Sequence, residues 1–278
     1  MKILIGVVLF NPEIKRLKDN LEAVWSQSKK IILVDNSSSN ITEIKELLKD
    51  FQGIVLVENL KNKGIAFALN QILENAKSNE FNWALTLDQD SVISLNLIEV
   101  YKRYLSEPKL ALLGCTIDDR NFVYKKNKEK LNELIETDFL ITSGTIVNVN
   151  VWALLGGFDE TMFIDSVDFD FCIAARNAGY KIYKTNKTNI LHEVGHSRIV
   201  NFLGKEELIL NHSCQRYYYI IRNTIYLGRK HQGIPLLKQI LLSIKKIILV
   251  LFFEKSKSQK IKLSIKGFIH GFFMKINK

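Results

Sequence analysis

The first ninety residues constrain this chain most. Apolar runs of strand length alternate there with segments of helical period. The runs are "KILIGVVLF" (2–10), "KKIILVDNS" (29–37), "GIVLVEN" (53–59) and "NWALTLDQD" (82–90). Between the first two, Ile14, Leu17, Leu21, Val24 and Trp25 recur at helical spacing, with Asn11 placed to cap and Pro12 in the first turn. "NITEIKELLKDF" and "GIAFALNQILENAKS" supply the second and third helices. Strands that alternate with helices, and are apolar on both faces, predict a mostly parallel α/β sheet flanked by helices. Such sheets bind ligands beyond the carboxyl ends of their strands.

Polar residues collect at that edge. Asp35, Asn59, Asp88 and Asp90 all fall at or just past the ends of successive strands. Two carboxylates one residue apart repel each other, and a divalent cation removes the repulsion. Mg²⁺ and Mn²⁺ are commonly held by one or two carboxylates together with substrate phosphates. A solvated turn with two capping acids is the plain alternative. Asp35, in "VDNSSSN", is either an acceptor for a base or ribose or part of a capping turn. Asn62 and Gly64 open the third helix, where backbone N–H groups suit an anion.

The second half is more mixed. "LALLGCTI" reads as a strand, 118–137 as a polar, lysine-rich loop or excursion, and "FLITSGTIVNVNVWALLGGFDE" as two strands or a hairpin and a short helix. "DSVDFDFCIAARNAGYKIY" reads as a helix closed by Gly179, then a strand. Asp165, Asp168 and Asp170 exceed what capping that helix needs, and a carboxylate near Phe163, Phe169 and Phe171 suits a general base. "HEVGH" (192–196) fits the HExxH string of zinc proteases, but that motif needs a long helix. Here Gly195 and the preceding strand-like stretch oppose one. His192 is better used as one more ligand of the metal at Asp88 and Asp90.

The chain has 278 residues, is 47% apolar and 24% charged, and has three scattered cysteines, which exclude general disorder, a disulfide framework and a zinc cluster. Its net charge of +10 is uneven: residues 229–278 hold twelve Lys or Arg and one acid, whereas residues 1–228 hold 27 basic and 28 acidic residues. The tail "LLKQILLSIKKIILVLFFEKSKSQKIKLSIKGFIHGFF" alternates apolar clusters with lysines, as in segments drawn to anionic membrane surfaces. A helix pair packed on the body is the alternative. No nucleic-acid motif is present and the body is not basic, so nucleic acid is not an expected partner. No membrane-spanning run and no cleavage site at the start is expected, and the "MKILIGVVLF" run is read as the first strand.

In order, "VDNSS", "NKGIAFALN", "LDQD", "SGTIVNVNVWALLGGFDETMFIDSVDFDFCIAARNAGY" and "LHEVGHS" resemble the inverting glycosyltransferase family 2, of GT-A fold. "GGFDETMFIDSVDFDFC", His192-x-x-Gly195 and "QRYYYIIRNTIYLGRK" make bacterial rhamnosyltransferases the nearest likeness, over residues 3–230. The resemblance implies a Rossmann-like GT-A domain over 1–205, with a nucleotide-binding half to about 115 and an acceptor half over 116–205. A basic helical extension follows over 206–278. It implies Asp35, Asn62, Gly64 and Asp88 at the nucleotide, with Asp90, Asp88 and His192 at Mg²⁺ or Mn²⁺. Asp168 would be the base, with Asp165 as its rival. Ser143, Gly144, Asp165, Asp170 and Arg176 would lie around donor and acceptor. The donor implied is dTDP-rhamnose, and the acceptor a surface polysaccharide or lipid-linked oligosaccharide. The site of action would be cytoplasmic, on the inner face of the membrane. Relatives often carry Glu-Trp where this chain has Asp170-Phe171, which bears on donor or acceptor preference. A UDP-sugar transferase (hexosyl or galactofuranosyl), a haloacid-dehalogenase-type phosphohydrolase, a sugar-nucleotide pyrophosphorylase and a non-catalytic assembly protein are the competing readings. The phosphohydrolase would place its DxD on the first strand, and the pyrophosphorylase would need a glycine-rich basic loop where "FNPEIKR" stands.

Overall fold

A computed structural model describes residues 1–119, 133–192 and 198–276. They form two compact units: Met1–Glu160 with Asp168–Glu193, and Thr161–Val167 with Val194–Lys278.

The first unit is built on a mixed sheet. Its opening half alternates as the periodicity predicts: β1 (Ile3–Leu9), α1 (Ile14–Trp25), β2 (Ile31–Asp35), α2 (Ile41–Leu48), β3 (Val55–Glu58), α3 (Ile65–Ser78) and β4 (Trp83–Asp88). β1 lies between β2 and β4 and is parallel to both, and every one of its residues is buried. β3 closes that edge of the sheet and is half-exposed. Asn11 does not cap α1. The helix starts after Glu13, and Asn11 Oδ1 instead accepts from Ser39 N–H at 2.8 Å and Ser39 Oγ at 2.9 Å, tying the loops that follow β1 and β2.

The rest of the sheet departs more from expectation. β5 (Val92–Ile93) and α4 (Leu97–Lys102) lead to β6 (Leu110–Asp119), which runs into the stretch read as a loop. Leu134–Glu136, also in that stretch, forms β7, and 120–132 lies outside the described residues. Only one strand, β8 (Thr145–Asn148), comes from the predicted hairpin. It pairs antiparallel with β4 and β6, and 141–144 turns into it. α5 (Val149–Leu154), a short 3₁₀ turn (Glu160–Met162), α6 (Val167–Asn177) and β9 (Lys181–His192) follow. Gly179 closes α6 as expected, its N–H reaching Arg176 O at 2.9 Å. β9 is the organiser of this half: parallel to β6, it pairs antiparallel with β7 early and with β5 late.

In the second unit, Lys205–Ile209 is not helical. It forms β11, hairpinned with β10 (Arg198–Phe202), before α7 (Cys214–Lys230), α8 (Leu236–Phe253) and α9 (Lys257–Phe273). α9 packs directly on α7 because Gly267 and Gly271 leave room for the α7 backbone. A Cβ at Gly267 would stand 2.3 Å from Tyr218 O, and one at Gly271 would stand 2.7 Å from Arg222 O. The only acid of the tail, Glu254, is buried between Tyr217 of α7 and Lys260 of α9, and its carboxylate accepts from both. Burial and that carboxylate hold the Tyr217 phenol protonated, well above its ordinary range.

A buried pair broken on one side is costly, whereas apolar replacement of all its members is often tolerated. Glu254→Ala is therefore expected to cost about 3–5 kcal/mol. The triple change Tyr217→Phe, Glu254→Met, Lys260→Met should recover most of it. Urea titration followed by circular dichroism checks both.

Candidate active site

The carboxyl ends of β2, β1 and β4 lie side by side: Leu9 is level with Asp35, and Val8 with Asp88. Two groups of polar residues occupy this edge.

The first surrounds Asp35, which is 2% exposed. Its Oδ2 accepts the N–H groups of Ser37 at 3.0 Å and Ser38 at 2.9 Å, while its buried Oδ1 has no partner among the described residues. A buried carboxylate oxygen left unpaired costs free energy that a donor from a ligand would offset. Beside it, Asn36 donates to Gly64 O at 2.9 Å and accepts from Lys63 N–H at 3.1 Å, and Asn62 Oδ1 accepts from Gly64 N–H at 2.9 Å. Gly64 has φ +90°, a left-handed conformation that glycine adopts without strain, and it starts α3 at this rim. Asn36, through which Asp35 and Gly64 are joined, was not singled out from the sequence.

The second group gathers Asp88, Asp90, Ser143, Gly144 and His192 from three distant stretches. The sheet register explains it. Val92 of β5 pairs with Leu191 of β9, so the chain just past Asp90 meets the end of β9, where His192 stands. His192 Nε2 lies 3.9 Å from Asp88 Oδ2, and Nδ1 lies 3.8 Å from Asp90 Oδ1. Ser91 Oγ is 2.8 Å from Nδ1 and 2.7 Å from Ser143 Oγ, which in turn accepts Asp88 N–H at 3.0 Å. Gly144, at φ +76°, donates its N–H to Thr86 O at 2.9 Å, and its carbonyl accepts from the buried Tyr101 hydroxyl at 2.5 Å. His192 ends a strand, so its ring cannot belong to a protease helix. Glu193, Gly195 and His196 lie outside the described residues.

Asn20 braces the turn from below. It sits on the buried face of α1 with Leu17, Leu21 and Val24, and its Nδ2 donates to Asp88 O at 3.0 Å and Ser91 O at 2.6 Å. A fully polar residue on the apolar stripe of an amphipathic helix was the signal for it. Ser91 carried no signal beyond following the two acids.

Oxygens plus an imidazole suit Mg²⁺ or Mn²⁺. Two carboxylates flank one ring, within 4 Å of its two nitrogens. Among the described residues, no three His, Cys, Asp or Glu side chains already stand at metal-holding distances.

Asp168 lies in the first turn of α6, where the helix dipole favours negative charge, and its Oδ1 accepts Phe169 N–H at 2.9 Å. It lines a small hollow with Thr142, Thr145, Phe158, Phe171 and Cys172. Thr142 and Thr145 flank Ser143 and Gly144, and their carbonyls accept from the Thr86 hydroxyl. Asp170 is buried, and Arg176 pairs with Asp138 at 2.8 Å. Asp165 belongs to the second unit, where Arg216 grips both its oxygens at 3.0–3.1 Å. Asn223 of α7 donates to the carbonyls of Met162, Ile164 and Asp165, holding a segment in which Phe163, Asp165 and Ser166 all have positive φ. Burial pushes the thiols of Cys115 to about 11 and Cys172 to about 12, so neither is a thiolate nucleophile near neutrality.

The glycosyl transferase family 2 model matches residues 5–202. The chain belongs to that family. It is a glycosyltransferase, which removes the phosphohydrolase and non-catalytic readings. Over 95% of its length and 93% of the relative's, it is 28% identical to the dTDP-rhamnosyl transferase RfbF of Shigella flexneri. Among solved structures it resembles residues 1–349 of S. aureus TarS, with a TM-score of 0.63 at 15% identity over 98% of this chain and 81% of that one. It also resembles the mannosyltransferase PcManGT of Pyrobaculum calidifontis bound to GDP-Man and Mn²⁺, with a TM-score of 0.62 at 14% identity over 99% and 76%. These likenesses show the GT-A fold.

Asn20→Leu leaves Ser91 O buried without its amide donor, which costs about 1–3 kcal/mol. Thermal denaturation should show that loss.

Proposed function

We propose that this family 2 glycosyltransferase moves an L-rhamnosyl group from dTDP-rhamnose, with inversion, to a saccharide acceptor. The observation that carries the reading is the nearly full-length similarity to a dTDP-rhamnosyl transferase. The two polar groups at the sheet edge support it. In this reading Asp35 Oδ1 accepts the imide N–H of thymine, and the loop of Asn62 and Gly64 with the start of α3 faces the nucleotide. Asp90, Asp88 and His192 hold Mn²⁺ or Mg²⁺. A divalent cation, when bound, offsets the charge that develops on the leaving diphosphate.

Asp168 then acts as base. The acceptor oxygen attacks the anomeric carbon from the face opposite the diphosphate, its proton passes to Asp168, and the bond to the diphosphate breaks. Such a base is worth roughly 10²–10⁴ in rate. Ser143 and Gly144 sit beside the donor sugar. Asp170 and Arg176 set α6, and Asp165, held by Arg216, anchors the segment that enters α6. No covalent intermediate is needed, in keeping with the protonated thiols of Cys115 and Cys172. The acceptor is a lipid-linked oligosaccharide or surface polysaccharide, met at the inner face of the membrane by the basic tail.

A UDP-sugar donor is the second reading, because uracil offers Asp35 the same imide N–H as thymine.

Asp168→Asn is expected to abolish transfer from dTDP-rhamnose, by at least 10², and to leave dTDP affinity unchanged. Radiolabelled sugar transfer and calorimetric titration check the two halves, and full transfer would remove Asp168 as base. Asp90→Ala should erase the part of dTDP affinity that Mn²⁺ adds. A metal dependence left intact would remove the metal assignment.

A further inference from the structure

Helix α8 keeps one face bare. Leu237, Leu241, Ile244, Ile248 and Leu251 follow at steps of four and three, which aligns them along one stripe. They are 37–68% exposed, whereas Ser243 and Val250, on the opposite side of the helix, are buried. Phe252 extends the stripe at 59% exposed. It also meets Phe202 of the hairpin, whose paired Ile199 and Leu208 are exposed too. Helix α9 repeats the theme: Lys262, Ile265, Lys266, Ile269 and Phe273 share its outward face, opposite Lys260, Ser264, Gly267 and Gly271. Contiguous apolar surface of this kind marks an interaction site.

Charge decides what covers it. Lys238, Lys262 and Lys266 are exposed on the same two helices and Lys255 is exposed between them, and the single acid of residues 229–278 is consumed internally by Tyr217 and Lys260. A second copy would set one lysine-rich face against another. An anionic surface with an apolar layer beneath it matches both the stripe and its charge. No helix of the described residues is long and apolar enough to cross a membrane, so contact would be lateral.

We propose that the α8 stripe, with the outward face of α9, lies in the headgroup boundary of an anionic lipid bilayer, its leucines and isoleucines inserted and its lysines at the phosphates. This deepens the proposed function and takes its purpose from the lipid-linked acceptor in that reading. The lipid contact itself needs neither donor nor acceptor.

Co-sedimentation of the full chain with vesicles, without substrates, tests it. Binding is expected to phosphatidylcholine vesicles containing phosphatidylglycerol, weakly to phosphatidylcholine alone, and to fall with added salt. Leu241→Ser with Ile248→Ser should lower affinity tenfold or more. Lys262→Gln and Lys266→Gln should each lower it about fivefold. All four side chains are exposed, so helical circular dichroism and dTDP binding should stay unchanged. Three results would overturn the proposal: no binding to either vesicle, unaltered binding of the serine variant, or a lipid-free dimer that the serine variant converts to monomer. Vesicle binding by a chain that fails to bind dTDP would sustain it and sink the donor reading instead.

Discussion

The hydrogen bonds that hold the turn of Asp88 and Asp90 are the interaction on which the site depends. The structure holds that turn through the Asn20 amide from α1, the Ser143 hydroxyl from the turn before β8, and the Ser91 hydroxyl against His192. Each brace is set by a piece of regular structure. α1 buries Asn20 with its leucines, β4 and β8 align Thr86 with Thr145, and β5 and β9 align the two ends that meet at His192. The sheet register thus brings Asp88, Asp90 and His192 together at one end of the sheet.

How much of this was legible in the sequence depends on range. The three strand–helix repeats and the fourth strand are readable because each carries its own period, and the acids at the strand ends follow from them. "ITSGTIVN" suggests a hairpin because it is rich in β-branched residues, yet Gly144 and its bond to Thr86 force a turn in its first half. The hairpin at 198–209 was missed because its alternation is masked by charge in "GKEELIL". In the sequence, His192 is linked to the acids only as a better use than a protease motif and by family likeness. What brings it there physically is a pairing of two-residue β5 with β9, and no local pattern announces a partner about one hundred residues away. Asn20 and Asn223 are polar residues buried to satisfy distant backbone, and only their misfit to an apolar stripe gives them away.

Asp165 and Asp168 illustrate why spacing cannot assign roles within an acidic cluster. Three residues apart, they fall in different units. One is neutralised by a two-toothed arginine, and the other opens a helix beside a small, mostly apolar hollow. The tail divides in the same manner. Its one acid and one of its lysines specify how three helices join, while most of its lysines and a stripe of aliphatic side chains remain outside.

Thermal shift with dTDP, UDP and GDP, each with and without Mn²⁺, tests the central claim most directly. Ligand binding to the folded state raises its stability in proportion to ln(1 + [L]/Kd). The largest rise is expected with dTDP plus Mn²⁺ and a smaller rise with dTDP alone, and Asp35→Ala should lose the preference for dTDP and UDP over GDP. A rise of the same size with GDP, or no response to any nucleotide with metal, would contradict that claim.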